Sequence, residues 1–166
     1  MGGYTTFGYL ADYEGSLFDT VEVYDPTTNT WEVVANLHVE RIGFELAVHE
    51  NQIYVFGGES EAGNVNTAEM YNPETNTWIE LNDMSGIRGE PHVEVYNDEI
   101  YVIGRSTKGN QTVFNIEKYM IKEDNWTEVV SFDQERYSFQ TELLNGKAYV
   151  IGGLKEDQVG EKFNMY

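Results

Sequence analysis

Ile53-Tyr54-Val55-Phe56-Gly57-Gly58, followed after a polar stretch by Ala68-Glu69-Met70-Tyr71-Asn72-Pro73-Glu74-Thr75-Asn76-Thr77-Trp78, decides how this chain folds, because the same order of residue types returns along its length. Tryptophans stand at Trp31, Trp78 and Trp126, 47 and 48 residues apart. Tyrosines at Tyr24, Tyr71, Tyr119 and Tyr166 step by 47, 48 and 47, and Tyr54, Tyr101 and Tyr149 keep the same step. Arginines at Arg41, Arg88 and Arg136 repeat it once more. Self-similarity at such a period marks a stack of supersecondary units, each burying its faces against its neighbours.

Each unit reads as four short strands. Val93 to Val95 and Ile100 to Ile103 are β-rich runs on either side of Asn97-Asp98, and Asn145-Gly146 separates two similar runs where a two-residue hairpin needs positive φ. These are the first two strands, a and b. Asp25-Pro26 and Asn72-Pro73 follow the tyrosine of strand c, where proline presets a turn and ends ladder pairing, and the tryptophan then opens the outer strand d. A unit covered on both faces should carry a continuous apolar second strand, as Ile53 to Phe56 and Val150-Ile151 do. No segment shows a sustained helical period.

The order Arg, strand, turn, apolar run, Gly-Gly, loop, Tyr, Trp resembles the kelch motif over essentially the whole chain. The resemblance implies an all-β protein: kelch-type β-propeller blades of four antiparallel strands, in an incomplete, open propeller. The units run as a partial blade over 1–40, blades over 41–87 and 88–135, and a partial blade over 136–166. Its structural framework would be Gly2, Gly3, Gly57, Gly58, Gly104, Gly152 and Gly153, Tyr24, Tyr71, Tyr119 and Tyr166, and Trp31, Trp78 and Trp126. In propellers of this family the loops after strand b and between strand d and the next strand a gather on one face. Here these are Glu59 to Asn66, Ser106 to Thr112, Leu154 to Gly160 and the approaches to the three arginines.

On that face the resemblance makes Arg41, Arg88 and Arg136 candidate ligand-binding residues, gripping an anion or carboxylate, with Tyr4, Glu59, Arg105, Ser106 and Tyr137 beside them. The competing expectation is that each arginine pairs with a carboxylate of its own or the adjacent blade. The third copy departs from the pattern: Gly104-Arg105 replaces Gly-Gly, so its loop must open or the guanidinium must find a partner.

Composition narrows the function classes. With 29 acidic and 10 basic residues the chain carries a formal charge of -19, a field that repels phosphate backbones and anionic lipid surfaces. Nucleic acid and membrane partners are therefore not expected, and a basic partner surface is the easier match. There are no cysteines, which removes disulfides, zinc-thiolate sites and the cysteine that kelch-like copper oxidases require. His38, His49 and His92 have no second ligand at metal spacing, and neither a calcium loop, a phosphate loop nor a nucleophile elbow occurs. No metal, cofactor or catalytic residue is implied. The sequons Asn110-Gln111-Thr112 and Asn125-Trp126-Thr127 are short enough to arise by chance.

The expected function is a protein–protein interaction module that binds a protein or peptide ligand, similar to the substrate-recognition domain of kelch-type adaptors or to kelch scaffolds. The alternative is a fragment of a kelch-like sugar-binding or mutarotase-type enzyme. About three and a half repeats fall short of the four to eight blades of a closed ring. The propeller is therefore expected to be completed by remaining blades of a longer chain, or by a second copy.

Overall fold

The computed structural model describes residues 16–132, 136 and 138–154. Among these residues there are strands and no helix. The first two strands, β1 (Glu22–Asp25) and β2 (Thr30–Val33), form a hairpin. A four-stranded antiparallel blade follows, ordered β3 (Glu45–His49), β4 (Gln52–Phe56), β7 (Ala68–Asn72) and β8 (Thr77–Leu81); the small hairpin of β5 (Glu59–Ser60) and β6 (Gly63–Asn64) interrupts it between β4 and β7. The next blade runs β9 (His92–Tyr96), β10 (Glu99–Lys108), β11 (Gln111–Met120) and β12 (Asn125–Phe132). A last hairpin, β13 (Gln140–Leu144) with β14 (Lys147–Ile151), begins a further blade. The array is an open set of propeller blades, all antiparallel.

The a–b turns are the tight ones. Glu50-Asn51, Asn97-Asp98 and Asn145-Gly146 have both central residues at φ between 45° and 71°. A right-twisted hairpin with a two-residue loop selects this conformation, and Asn, Asp and Gly tolerate it best.

Neighbouring blades are held together by the aromatic framework. Tyr54, Phe56, Met84, Ile100, Val102 and Tyr119 are buried in one cluster, with Trp126 packed against it. The Phe56 and Trp126 rings meet edge to face at 5.7 Å, an arrangement that aligns ring edge with ring face charge. Leu37, Val55, Tyr71 and Trp78 make the equivalent cluster against the first hairpin, and Ile103, Phe114 and Phe139 against the last.

Each tryptophan also uses its polar edge. Trp78 Nε1 donates to the Ala35 carbonyl at 2.9 Å and Trp126 Nε1 to the Asn82 carbonyl at 2.7 Å, both on the connection leaving the preceding blade. Beside them, Tyr71 Oη donates to Asn76 Oδ1, which also accepts from Ala35 N–H. Tyr119, Asp124 and Asn82 N–H repeat that relay.

The end hairpins differ from the continuous burial read from sequence. Tyr24 and Trp31 keep the ring contact of their later counterparts, 5.1 Å between centroids, yet Trp31 is 65 % exposed. Ile151 on β14 is likewise exposed, with no described strand c beside it. Gly2, Gly3 and Tyr166 lie outside the described residues.

A candidate interaction face and the arginines beneath it

Arg41 and Arg88 lie inside their blades, each fully buried, not at an open mouth. Arg41 stands just ahead of β3 and reaches the end of β4 and the start of β7. Its Nη1 donates to the Gly57 carbonyl at 2.9 Å and its Nη2 to Thr67 Oγ1 and to Glu69 Oε1, the last at 2.7 Å. Arg88 repeats this one blade on, with Nη1 on the Gly104 carbonyl at 3.0 Å and Nη2 on Asn115 Oδ1 and Glu117 Oε1. Burial pushes both guanidinium pKa values down, and the facing carboxylates push back up. A charge so placed is held by partners within its own blade and has no solvent-facing side to offer a ligand.

The carboxylates complete the device. Glu69 Oε2 accepts from both the backbone N–H and the Nδ1 of His38, which lies on the connection from the first hairpin. Glu117 accepts from the N–H and the hydroxyl of Ser85, on the equivalent connection between β8 and β9 that arrives from the preceding blade. Burial would raise the Glu117 pKa, but the Ser85 hydrogen bonds and the Arg88 charge outweigh it and hold it below the ordinary carboxylate value. Each of the two four-stranded blades among the described residues thus carries one buried knot joining its Arg, the carbonyl of a glycine at the end of strand b, a Glu on strand c, and the chain arriving from the unit before.

This explains which half of Gly-Gly the third copy keeps. Gly57, Gly104 and Gly152 all present their carbonyls to the repeat arginine, with Arg136 Nη1 on Gly152 at 3.1 Å. The second glycine serves a different purpose. Gly58 sits at φ 96°, and a Cβ there would stand 2.6 Å from the Ile42 carbonyl, so it turns the chain away into the β5–β6 hairpin. In the third copy that turn is not made. Arg105 takes an ordinary ladder position opposite Phe114, and β10 and β11 pair without interruption from Glu99↔Met120 to Lys108↔Gln111.

Ser106 to Thr112 is therefore a correction to the sequence reading. It is a raised hairpin turning at Gly109-Asn110, where a loop was expected, because a non-glycine residue after Gly104 continues the ladder. Ser106 is buried, packed where a Cβ on Gly86 would collide with its hydroxyl. Arg105 is exposed on the hairpin. Glu59 is half-buried, its backbone bridged to Ile42. Arg136 is half-buried. Tyr4, Tyr137 and most of Leu154 to Gly160 lie outside the described residues.

The sequence reading missed Glu69 and Glu117 as the partners of the arginines, although a signal was present: Glu22, Glu69 and Glu117 each stand two residues before the strand-c tyrosine. Among the described residues no group of His, Asp and Glu is arranged to hold a metal ion.

A repeating body of four-stranded blades, buried Arg–Glu knots and aromatic seams, with b–c connections that change from blade to blade, is the construction of a kelch-repeat protein. The chain belongs to this family: the model of the KLHDC2/KLHL20/DRC7 Kelch-repeats domain matches residues 2–153. It is 43% identical over 159 residues to Kelch-like protein 41 of Rattus norvegicus and of Mus musculus, covering 96% of this chain and 26% of each relative. Kelch-like protein 15 of Danio rerio is 40% identical over 48 residues, 29% of this chain and 8% of that protein. The chain thus spans about a quarter of the length of the first two relatives. Membership supports a protein-interaction module.

Proposed function

We propose that the chain is the ligand-recognising part of a kelch protein, taking a peptide or protein segment on the face that carries the b–c connections, as substrate recognition for an adaptor or scaffold requires. One observation carries the reading. The blade bodies repeat their Arg–Glu pairs and their Trp and Tyr hydrogen bonds, whereas the b–c connections differ: a short β5–β6 hairpin in one blade, a ten-residue pairing of β10 with β11 in the next. A rigid repeated scaffold with variable connections on one side is how repeat proteins build individual binding surfaces. With Arg41 and Arg88 committed to the interior, the exposed side chains there include Glu61, Asn64, Arg105 and Lys108.

The test is selection of binders from a random-peptide display library. Enriched peptides should lose binding to variants carrying Glu61→Lys or Lys108→Glu and keep it with Ile79→Lys on the outer strand β8. Enriched peptides that ignore both connection variants would sink the proposal.

A further inference from the structure

Strand β12 is the outer edge of its sheet, with no strand beyond it among the described residues. It is eight residues long, whereas β8, its counterpart, has five. The β7–β8 ladder stops at Ala68↔Leu81, but β12 continues past the corresponding pair Ile116↔Val130 to join Ser131 with Asn115 and Phe132 with Phe114. It follows the raised β10–β11 hairpin upward, with Val129 unopposed at a bulge. Val129, Val130 and Phe132 are 50 %, 42 % and 38 % exposed.

An edge of this kind offers unpaired backbone N–H and C=O groups flanked by apolar side chains. Soluble proteins commonly blunt such edges with lysine or proline, and Asn125 to Phe132 contains neither. Its charged residue is Glu128, whose carboxylate accepts from Ser131 Oγ and Asn115 Nδ2, and Glu123 and Asp124 adjoin its start with Lys122 before them, where Asn82, next to Asp83, donates to Asp124. We propose that the outer edge of β12 takes an extended, basic segment of a partner protein as an added strand. The partner's charge is decided by the chain itself. A second copy would bring another -19 to the same edge, whereas Lys or Arg placed between apolar residues meets complementary charge as its backbone joins the ladder. This site is the outer backbone edge beside the base of the raised hairpin, whereas the proposed b–c face is formed by side chains of the connections themselves, so separate variants test the two.

The probe is a fluorescein-labelled peptide, Lys-Val-Thr-Val-Lys-Val-Thr, compared with its Glu-for-Lys analogue by fluorescence anisotropy. The Lys peptide should bind and weaken steeply with added salt, and the Glu analogue should not bind. Val130→Lys should weaken the Lys peptide about tenfold while Ile79→Lys leaves it unchanged, melting curves confirming that both variants fold. Amide exchange should slow within Val130 to Phe132 on binding. Equal binding of the two peptides, or indifference to Val130→Lys, overturns the proposal. So does concentration-dependent dimerisation abolished by Val130→Lys, since a second copy would then own the edge.

Discussion

Arg41 Nη2 lies 2.7 Å from Glu69 Oε1 with both side chains out of solvent, and one repeat later Arg88 and Glu117 make the same pair at 3.0 Å. Two charges removed from water are tolerable because carbonyl, hydroxyl and backbone N–H groups supply most of their hydrogen bonds, although Arg88 Nε, unlike Arg41 Nε on the Val39 carbonyl, is buried without a partner. The pairs tie the segment ahead of strand a to strand c of the same blade and to the connection from the blade before, so they join packing within blades to packing between them.

Removing one member should therefore cost far more than a surface ion pair. Arg41→Ala and Glu69→Ala are each expected to destabilise by about 3–5 kcal/mol, because each leaves a buried charge unpaired. The double variant should be less destabilised than the two losses added together. Urea unfolding of the four proteins measures this; additive losses would show that the two residues act independently.

Acid should loosen the third blade through Glu117. Its folded pKa is depressed, so the unfolded chain binds the proton more readily and the pair's contribution is fully present above the unfolded value of about 4.3. That contribution is lost as pH falls through the folded pKa. Glu117→Gln should melt lower at neutral pH, and the gap from the parent should narrow below about pH 4. A gap that stays constant across that window would count against the pair.

Trp78 separates area from hydrogen bonding. Trp78→Ala should cost about 3–5 kcal/mol through the cavity left between blades. Trp78→Phe keeps much of the ring but strands the Ala35 carbonyl, for about 1–3 kcal/mol. Thermal melts of both variants, with near-ultraviolet circular dichroism to follow aromatic packing, should show this ordering.

Gly57 tests the turn above the knot. It sits at φ 61°, and a Cβ there would come 2.5 Å from the Arg88 carbonyl of the next blade, an oxygen that accepts from Gly58 N–H. Gly57→Ala should lose about 2–4 kcal/mol from strain and displaced backbone together. Gly109→Ala, at a similar φ of 60° with no neighbour within 4 Å, should lose only the strain, about 1–2 kcal/mol. Equal losses in the two would remove the steric part of the argument.

The 47- and 48-residue step, the Asn-Gly type of turn and the apolar strand b were enough to assign four-stranded blades, because strand period, turn chemistry and two-faced burial are local consequences of residue order. The recurring arginines were legible as a set in register. Their direction was not. Whether a guanidinium points to solvent or inward depends on a carbonyl 16 residues away and a carboxylate on strand c, which only the closed ladder of β3, β4 and β7 brings to one place. Likewise Gly104-Arg105 could be seen to break the pattern, but not that the result is a taller hairpin and a longer outer strand. That outcome required the Glu99–Lys108 and Gln111–Met120 backbones to find each other across ten pairs, a non-local balance of ladder hydrogen bonds against a turn that one side chain, Arg105 in place of glycine, tips toward the ladder.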